Sequence, residues 1–295
     1  MQFSHRFICY FLLLIPVMGC NGVTAQTSST EFDAYWYAGD AELSRYELKQ
    51  VRYGEVHAGD AVLIFVTEPF RTDKQVKYEG GDRQGVESVL KLNLTKKFYT
   101  GIYPYSMMTS TFTPVRIDKP TLKVTTTSQE WCGHTFTQLN LRKNTYEGQL
   151  FSYFQNEGDA DFSLAADLLE DEVMTKIRLD PSSLPTGKIK LIPGSMFLRL
   201  RHRAYDVENA TATLVEANDP KVSTAPLQKY RIEYADFDRV LEITFEKDFP
   251  HGIILWEEHE NNLITRAVRT HTLKSPYWSQ HDVADGPLRA KLGLE

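Results

Sequence analysis

From residue 61 onward the chain alternates apolar and polar positions in short runs set apart by Gly, Pro, Asn and Asp. The runs cover 61–70 (AVLIFVTEPF), 89–94, 121–127, 135–143, 196–205 (MFLRLRHRAY), 210–217, 230–237, 240–249, 252–258 and 264–274. Period two places alternate side chains on opposite faces of a strand, so each run predicts a strand with one face buried. Turn residues between them favour antiparallel neighbours. The expected fold is mainly β: an extensive antiparallel sheet, curved or forming an incomplete barrel, with one packed α-helix.

That helix is predicted over 161–181, where Ala165, Leu169, Val173 and Ile177 recur every four residues and Asp180-Pro181 ends the run. Asp161 or Ser163 supplies its expected N-cap, and its acidic first half suits the positive end of the helix dipole. The segment 183–195 (SLPTGKIKLIPGS) has the composition of a linker, but strand patterns continue on both sides and one domain is expected. The tail 282–295 predicts a short helix or an extended lid.

Ahead of the alternating region the pattern changes. Phe7 to Val17 is an uninterrupted apolar run behind a short polar start with Arg6. It is too short to span a bilayer, which takes about 20 residues, and reads as an export signal. The run closes on Val17-Met18-Gly19-Cys20, which resembles the lipobox of bacterial lipoprotein signal peptides: an aliphatic residue, a variable one, a small one, and the cysteine that takes the lipid. The expected organisation is a signal peptide over 1–19, a lipidated Cys20 with a small, polar tether over 20–31, and one mainly β domain over 32–295. Two or more acyl chains on Cys20 would hold the protein on a membrane with no spanning helix. Asn21, where inner-membrane retention calls for Asp, favours the outer membrane.

Composition alters this picture little. The 295 residues are 42% hydrophobic and 24% charged, an ordinary globular balance, and the net charge of −6 is spread along the chain. No basic tail or zinc-knuckle spacing is present, so no nucleic-acid partner is expected. Of three cysteines, Cys9 leaves with the signal and Cys20 takes lipid, so Cys132 has no partner for an internal disulfide.

Candidate chemistry concentrates in four stretches. In SQEWCGHTF (128–136), an extended backbone would put Glu130, Cys132 and His134 on one face, a carboxylate, thiol and imidazole suited to an envelope hydrolase or transferase. Strand neighbours two apart are about 6.6 Å apart at Cα, too far for a direct Cys–His contact without a turn, so a buried structural thiol beside a hydrogen-bonded histidine is the preferred reading. Two such ligands do not make a metal site, and neither metal nor cofactor is expected. In 96–115 (KKFYTGIYPYSMMTSTFTPV), Tyr99, Tyr103, Tyr105, Met107 and Phe112 offer an apolar groove for a lipid, a glycan or an envelope protein, or else two core strands. Arg199, Arg201 and Arg203 share one face if 197–205 is a strand, paired with acids such as Glu233, Glu242 or Glu246. The polar 256–262 (WEEHENN) fits a hairpin tip.

The segments AVLIFVTEPF, KKFYTGIYPYSMMTSTFTPV, SQEWCGHTF, SYFQNEGDADF (152–162) and SPYWSQ (275–280) together resemble an uncharacterised family of bacterial lipoproteins commonly labelled septum formation inhibitor Maf, over most of the chain from Phe32. The resemblance implies an envelope location and a single domain. The Maf label would imply a nucleotide pyrophosphatase of α/β fold, but the Ser-x-Ser-Pro-Arg-Arg loop of such enzymes has no counterpart, Ser275-Pro276 being followed by Tyr277. The expected role is a membrane-anchored binding or structural module for an apolar or amphipathic ligand or an envelope partner.

Overall fold

The computed structural model describes residues 30–294. The signal peptide, Cys20 and most of the tether lie outside the described residues; Thr30 and Glu31, expected in the tether, open helix α1 (Thr30–Trp36). The chain then runs through β1 (Ala41–Arg52), β2 (Glu55–Arg71), β3 (Val76–Lys77), β4 (Val86–Thr100), β5 (Tyr103–Pro114), β6 (Lys123–Glu130), β7 (Gly133–Arg142), β8 (Thr145–Ser152), β9 (Ala160–Ala165) and β10 (Leu168–Leu169). After helix α2 (Glu170–Leu179) come β11 (Gly187–Ile192), helix α3 (Ser195–Arg201), β12 (Glu208–Ala217), β13 (Leu227–Tyr234), β14 (Arg239–Glu246), β15 (Ile253–Glu260) and β16 (Leu263–Ser275).

All these strands belong to one sheet, ordered β10-β11-β12-β13-β14-β15-β16-β1-β2-β4-β5-β6-β7-β8-β9, with β3 beside β2. Every pairing is antiparallel except β10 with β11. The two ends of this order, β9 and β10, are separated in the chain by Ala166 and Asp167 alone. A two-residue connection cannot cross a wide sheet, so the sheet must curl until its ends nearly meet. It is not closed by a ladder. Instead, Phe162 of β9 stacks on Tyr205, ahead of β12, at 5.0 Å, and Val124, Leu139, Tyr146, Leu169 and Ile192 pack beneath the seam. Gly59 of β2 marks a tight approach: a Cβ there would meet the Lys97 carbonyl at 2.2 Å.

Helix α2 lies inside the curl with most of its side chains buried, Val173 and Ile177 completely. A buried helix leaves no water to satisfy its polar groups, and three sets of charged contacts supply partners. Arg178 forms a bidentate pair with Glu42 of β1, its Nη2 donating to Oε2 at 2.6 Å, while its Nε donates to the Pro250 carbonyl at 2.8 Å. Glu170 receives both Nη groups of Arg239 and the Tyr234 hydroxyl. Glu172 accepts from Leu169 N at 3.2 Å, closing the first turn, and from Thr121 Oγ1 at 2.6 Å. Helix α1 seals the end of the curl where β1 begins, burying Phe32 and Trp36, and α3 seals the other end. A 3-10 segment, Val283–Leu292, lays Leu292 against Ala41, Leu43 and Val66 on the outside.

The mainly β, curved and unclosed sheet is as expected, and three local readings are corrected. The helix of 161–181 is confined to Glu170–Leu179; residues 160–165 are the edge strand β9, and Leu169, not Asp161 or Ser163, is the N-cap. The run 196–205 is not a strand: Ser195–Arg201 is α3, ended by His202 in the left-handed region at φ 52. The segment 183–195, linker-like in composition, contains β11.

Replacing Arg178 with Met strands the buried Glu42 carboxylate, whose pKa burial alone would raise but which Arg178 holds down to about 2. The R178M protein is expected to lose about 3–5 kcal/mol in urea-induced unfolding, and the double variant E42Q/R178M to recover a substantial part.

Candidate functional site

The β1–β2, β4–β5, β6–β7, β8–β9 and β15–β16 turns all lie at the end of the curl sealed by α3, because each joins strands in the same antiparallel sense. Four of the first-listed turns carry large apolar side chains in water. Tyr53 is 59% exposed, Ile102 85%, Trp131 70% and Tyr153 76%. Tyr99, on the outer face at the end of β4, is 64% exposed.

Tyr53, Trp131 and Tyr153 are linked into a row through Tyr103, with Ile102 on the turn just ahead of it. The Tyr103 hydroxyl donates to that of Tyr53 at 3.1 Å, Tyr103 stacks on Trp131 at 6.3 Å, and Tyr153 lies beyond Trp131 across Gly133. Gly133 is required there, since a Cβ would meet the Tyr153 ring at 2.9 Å and the Phe154 ring at 3.2 Å. Tyr53 occupies the left-handed region at φ 54 ahead of Gly54 at φ 78, the pattern of a type I′ turn in which Asn or Gly is usual. A bulky residue in that conformation costs roughly 1 kcal/mol or more.

Under the row lies a polar floor. The Arg52 guanidinium sits 4.2 Å from the Tyr53 ring centroid, and its Nη1 donates to the Leu200 carbonyl at the end of α3. Tyr105 is buried, stacked on Phe98 at 4.7 Å, its hydroxyl 2.9 Å from that of Tyr53. Burial pushes the Tyr105 hydroxyl well above its ordinary pKa, and the hydrogen bond with Tyr53 adds to the rise. Partial burial acts the same way on Tyr53, but hydrogen bonds with Tyr103 and Tyr105 and the Arg52 charge bring its pKa below the usual value. Arg199 of α3 reaches Glu130 at 3.4 Å and covers the Phe154 ring at 4.3 Å, while His202 Nδ1 lies 2.6 Å from Glu157.

The residues singled out from sequence are distributed unevenly over this end. Glu130, Cys132 and His134 do not share a face, because Trp131-Cys132 is a two-residue hairpin turn and Glu130 pairs with Gly133. Glu130 points inward, where its Oε2 accepts from Cys132 N at 2.6 Å; His134 is exposed on the outer face. Nor is the thiol buried: Cys132 is exposed. Tyr103 belongs to the row and Tyr99 lies on the outer face of β4, whereas Tyr105 and Met107 point into the core and Phe112 stacks on Phe70 at 5.1 Å, well away from the row along β5. Arg199, Arg201 and Arg203 are on and after a helix, and their acids are Glu130, Glu260 and Glu208 instead of those on β13 and β14. WEEHENN does form a hairpin tip, with Asn261 and Asn262 at positive φ.

A second feature is internal. A cavity of about 60 Å³, room for about two waters, lies between α2, α3 and the inner face of β4, β5, β14 and β15. Its charged lining is Lys96, Glu170, Asp171 and Glu258. Glu258 accepts from Lys96 at 3.0 Å and from Arg239 at 3.1 Å; burial opposes its ionisation, but the two cations bring its pKa down to about 2. Asp171 accepts from Ser195 Oγ at 2.5 Å and Ser195 N at 3.0 Å, tying α2 to α3. Burial raises Asp171 to about 6 despite those hydrogen bonds.

No protein-family model and no curated protein matches the chain. Among solved structures, it is similar to a β-barrel-like protein of the domain of unknown function DUF1849 from Brucella abortus, with a TM-score of 0.49 and 11% identity over 80% of this chain and 98% of that one. Among the described residues no helix is long and apolar enough to cross a membrane.

Two outcomes follow from this geometry. Cys132 should react with a maleimide in the native protein as fast as after denaturation, read by mass spectrometry. Asp171, its pKa higher folded than unfolded, favours folding below about pH 4 and loses that contribution as pH rises through 6. Relative to Asp171→Asn, the stability of the wild type should therefore fall by about 1–2 kcal/mol between pH 4 and 7, measured by urea unfolding at each pH.

Proposed function

We propose that the protein is a lipid-anchored module of the bacterial cell envelope, tethered through Cys20 and placed in the outer membrane by Asn21, that holds an amphipathic partner against its aromatic-tipped end. The observation that carries this reading is the row of exposed side chains, Tyr53, Ile102, Trp131 and Tyr153, on neighbouring turns. Contiguous exposed apolar surface is uncommon on soluble monomers and marks a contact site. Tyr and Trp suit a partner with both apolar and polar surface, since each offers a flat ring and a hydrogen-bonding group.

The two ends of the molecule divide the work. The described chain begins at α1, at the end where β1 starts, while the aromatic row lies where β1 finishes, about 40 Å away for a twelve-residue strand. Nine residues lie between Cys20 and Thr30, ten Cα steps with a reach of at most about 35 Å. A body tethered in this way presents its aromatic row away from the anchoring bilayer, towards partners in the aqueous compartment.

Two titrations of the full-length protein, reconstituted in phosphatidylcholine nanodiscs, test the reading. One adds phosphatidylethanolamine–phosphatidylglycerol vesicles and the other soluble peptidoglycan fragments, each read by tryptophan emission. One of them is expected to give a saturable blue shift that Trp131→Phe removes and Tyr53→Ser with Tyr153→Ser weakens at least about tenfold, a loss matching two contact side chains of 1 kcal/mol or more each. A flat response in both titrations, or an unchanged one in the variants, would sink the proposal.

A further inference from the structure

The outer face of β13–β16 carries a row of charges that does not follow ordinary cross-strand pairing. Reading across the sheet, Arg231 pairs in register with Glu242, Glu242 with Glu257, and Glu257 with Arg266. The order is positive, negative, negative, positive. Like charges directly opposite each other destabilise a sheet. Both arginines sit on the flanks, as does Lys229, which reaches Glu242 Oε2 at 2.6 Å.

His259 completes the arrangement. It lies two residues after Glu257 on β15, hence on the same face, and diagonal to Glu242. One ligand atom from each of Glu242, Glu257 and His259 lies within 4.8 Å of the others. The Nε2 atom of His259 is shut off from solvent and has no hydrogen-bond partner. A buried imidazole nitrogen with no hydrogen-bond partner, on a histidine grouped with two carboxylates, keeps its lone pair or proton uncommitted, which points to a ligand.

We infer that Glu242, Glu257 and His259 form a site for one divalent cation of the zinc class, independent of the aromatic row. One imidazole and two carboxylates suit zinc, whose bonds of about 2.0–2.2 Å place tetrahedral donors roughly 3.4 Å apart. The three donors, within 4.8 Å of one another, close to that spacing by rotation of the two glutamate side chains, and the fourth position is left to water. Lys229 and Arg231 on Glu242, and Arg266 on Glu257, hold the two carboxylates in place for the ion. Because the three ligands come from β14 and β15, the ion also cross-links the two strands.

The test uses full-length protein in detergent, stripped with EDTA and titrated with Zn²⁺ by calorimetry and with Co²⁺ by absorption. One equivalent per chain is expected, with a raised unfolding midpoint, and a Co²⁺ spectrum without thiolate charge transfer that is unaltered in Cys132→Ser. His259→Ala and Glu257→Gln should each bind at least about tenfold more weakly, since even second-shell losses cost 10–100-fold. Their unfolding midpoints in EDTA show whether the apo fold is intact; if His259→Ala is not, Glu257→Gln and His259→Asn decide. Absence of stoichiometric binding, or binding unchanged in the folded variants, overturns the assignment and leaves His259 as a sheet histidine with only adventitious metal elsewhere.

Discussion

The structure depends on ion pairs that fasten helix α2 to the inside of a sheet that is not closed by its own hydrogen bonds. Arg178 to Glu42 fixes the helix to β1, and Glu170 to Arg239 fixes it to β14, on different parts of the wall. Desolvating such charges is costly, and burial of a pair stabilises little in net terms compared with an apolar replacement. Their effect is positional. A sheet whose edges β9 and β10 share no ladder could open or slide at the seam, but a helix held at two points on the wall fixes its curvature. The inner face therefore carries Glu42, Lys96, Glu130, Arg239 and Glu258 where a purely apolar core would be simpler, and each of these has a partner.

The sequence pattern was most informative where a strand has one face in the core and one in water. β2, β4, β6, β7, β12–β14 and β16 answer to that description and show period two, whereas β15 is an apolar run followed by a polar one. Two failures have physical causes. Spacing of four between Ala165, Leu169, Val173 and Ile177 is a multiple of two and close to 3.6, so a strand running into a helix through Leu168–Leu169 satisfies both periods at once. Segment 196–205 alternates Leu with Arg, but the arginines of α3 bury their stems and direct their guanidinium groups to Glu130 and Glu260, so the residues that look exposed are inside.

The aromatic row was only half legible for a different reason. Tyr99 and Tyr103 stand in an aromatic-rich segment that draws notice, while Tyr53, Trp131 and Tyr153 are single residues at three separate turns, about 80 and 20 positions apart along the chain, and no local pattern joins them. What brings them together is topology: an up-and-down sheet returns every second turn to the same end. A signal did exist in the turns themselves. Tyr53 precedes Gly54, Ile102 follows Gly101, and Trp131 is two residues before Gly133, so large apolar residues occupy positions that turns normally give to small or polar ones. The Cys132–His134 pair misled for the complementary reason: a two-residue turn reverses the strand between Glu130 and Gly133, and closeness in sequence then places side chains on opposite faces.

Strand length connects these features. β1, β2, β4, β5 and β16 have 12 to 17 residues, well beyond the usual five or six, and β2 alone spans about 55 Å. Long strands without internal support bend and twist, and a binding row at their tips would lose its register. Here α2 and α3 lie within the curl and Arg52 binds the Leu200 carbonyl, so the tips are braced from the inside by α3, which Asp171 ties to α2 through Ser195. The charges that hold the helix thus also hold the row. Asp171 is thereby joined through Ser195 and α3 to Arg52, the residue beneath Tyr53.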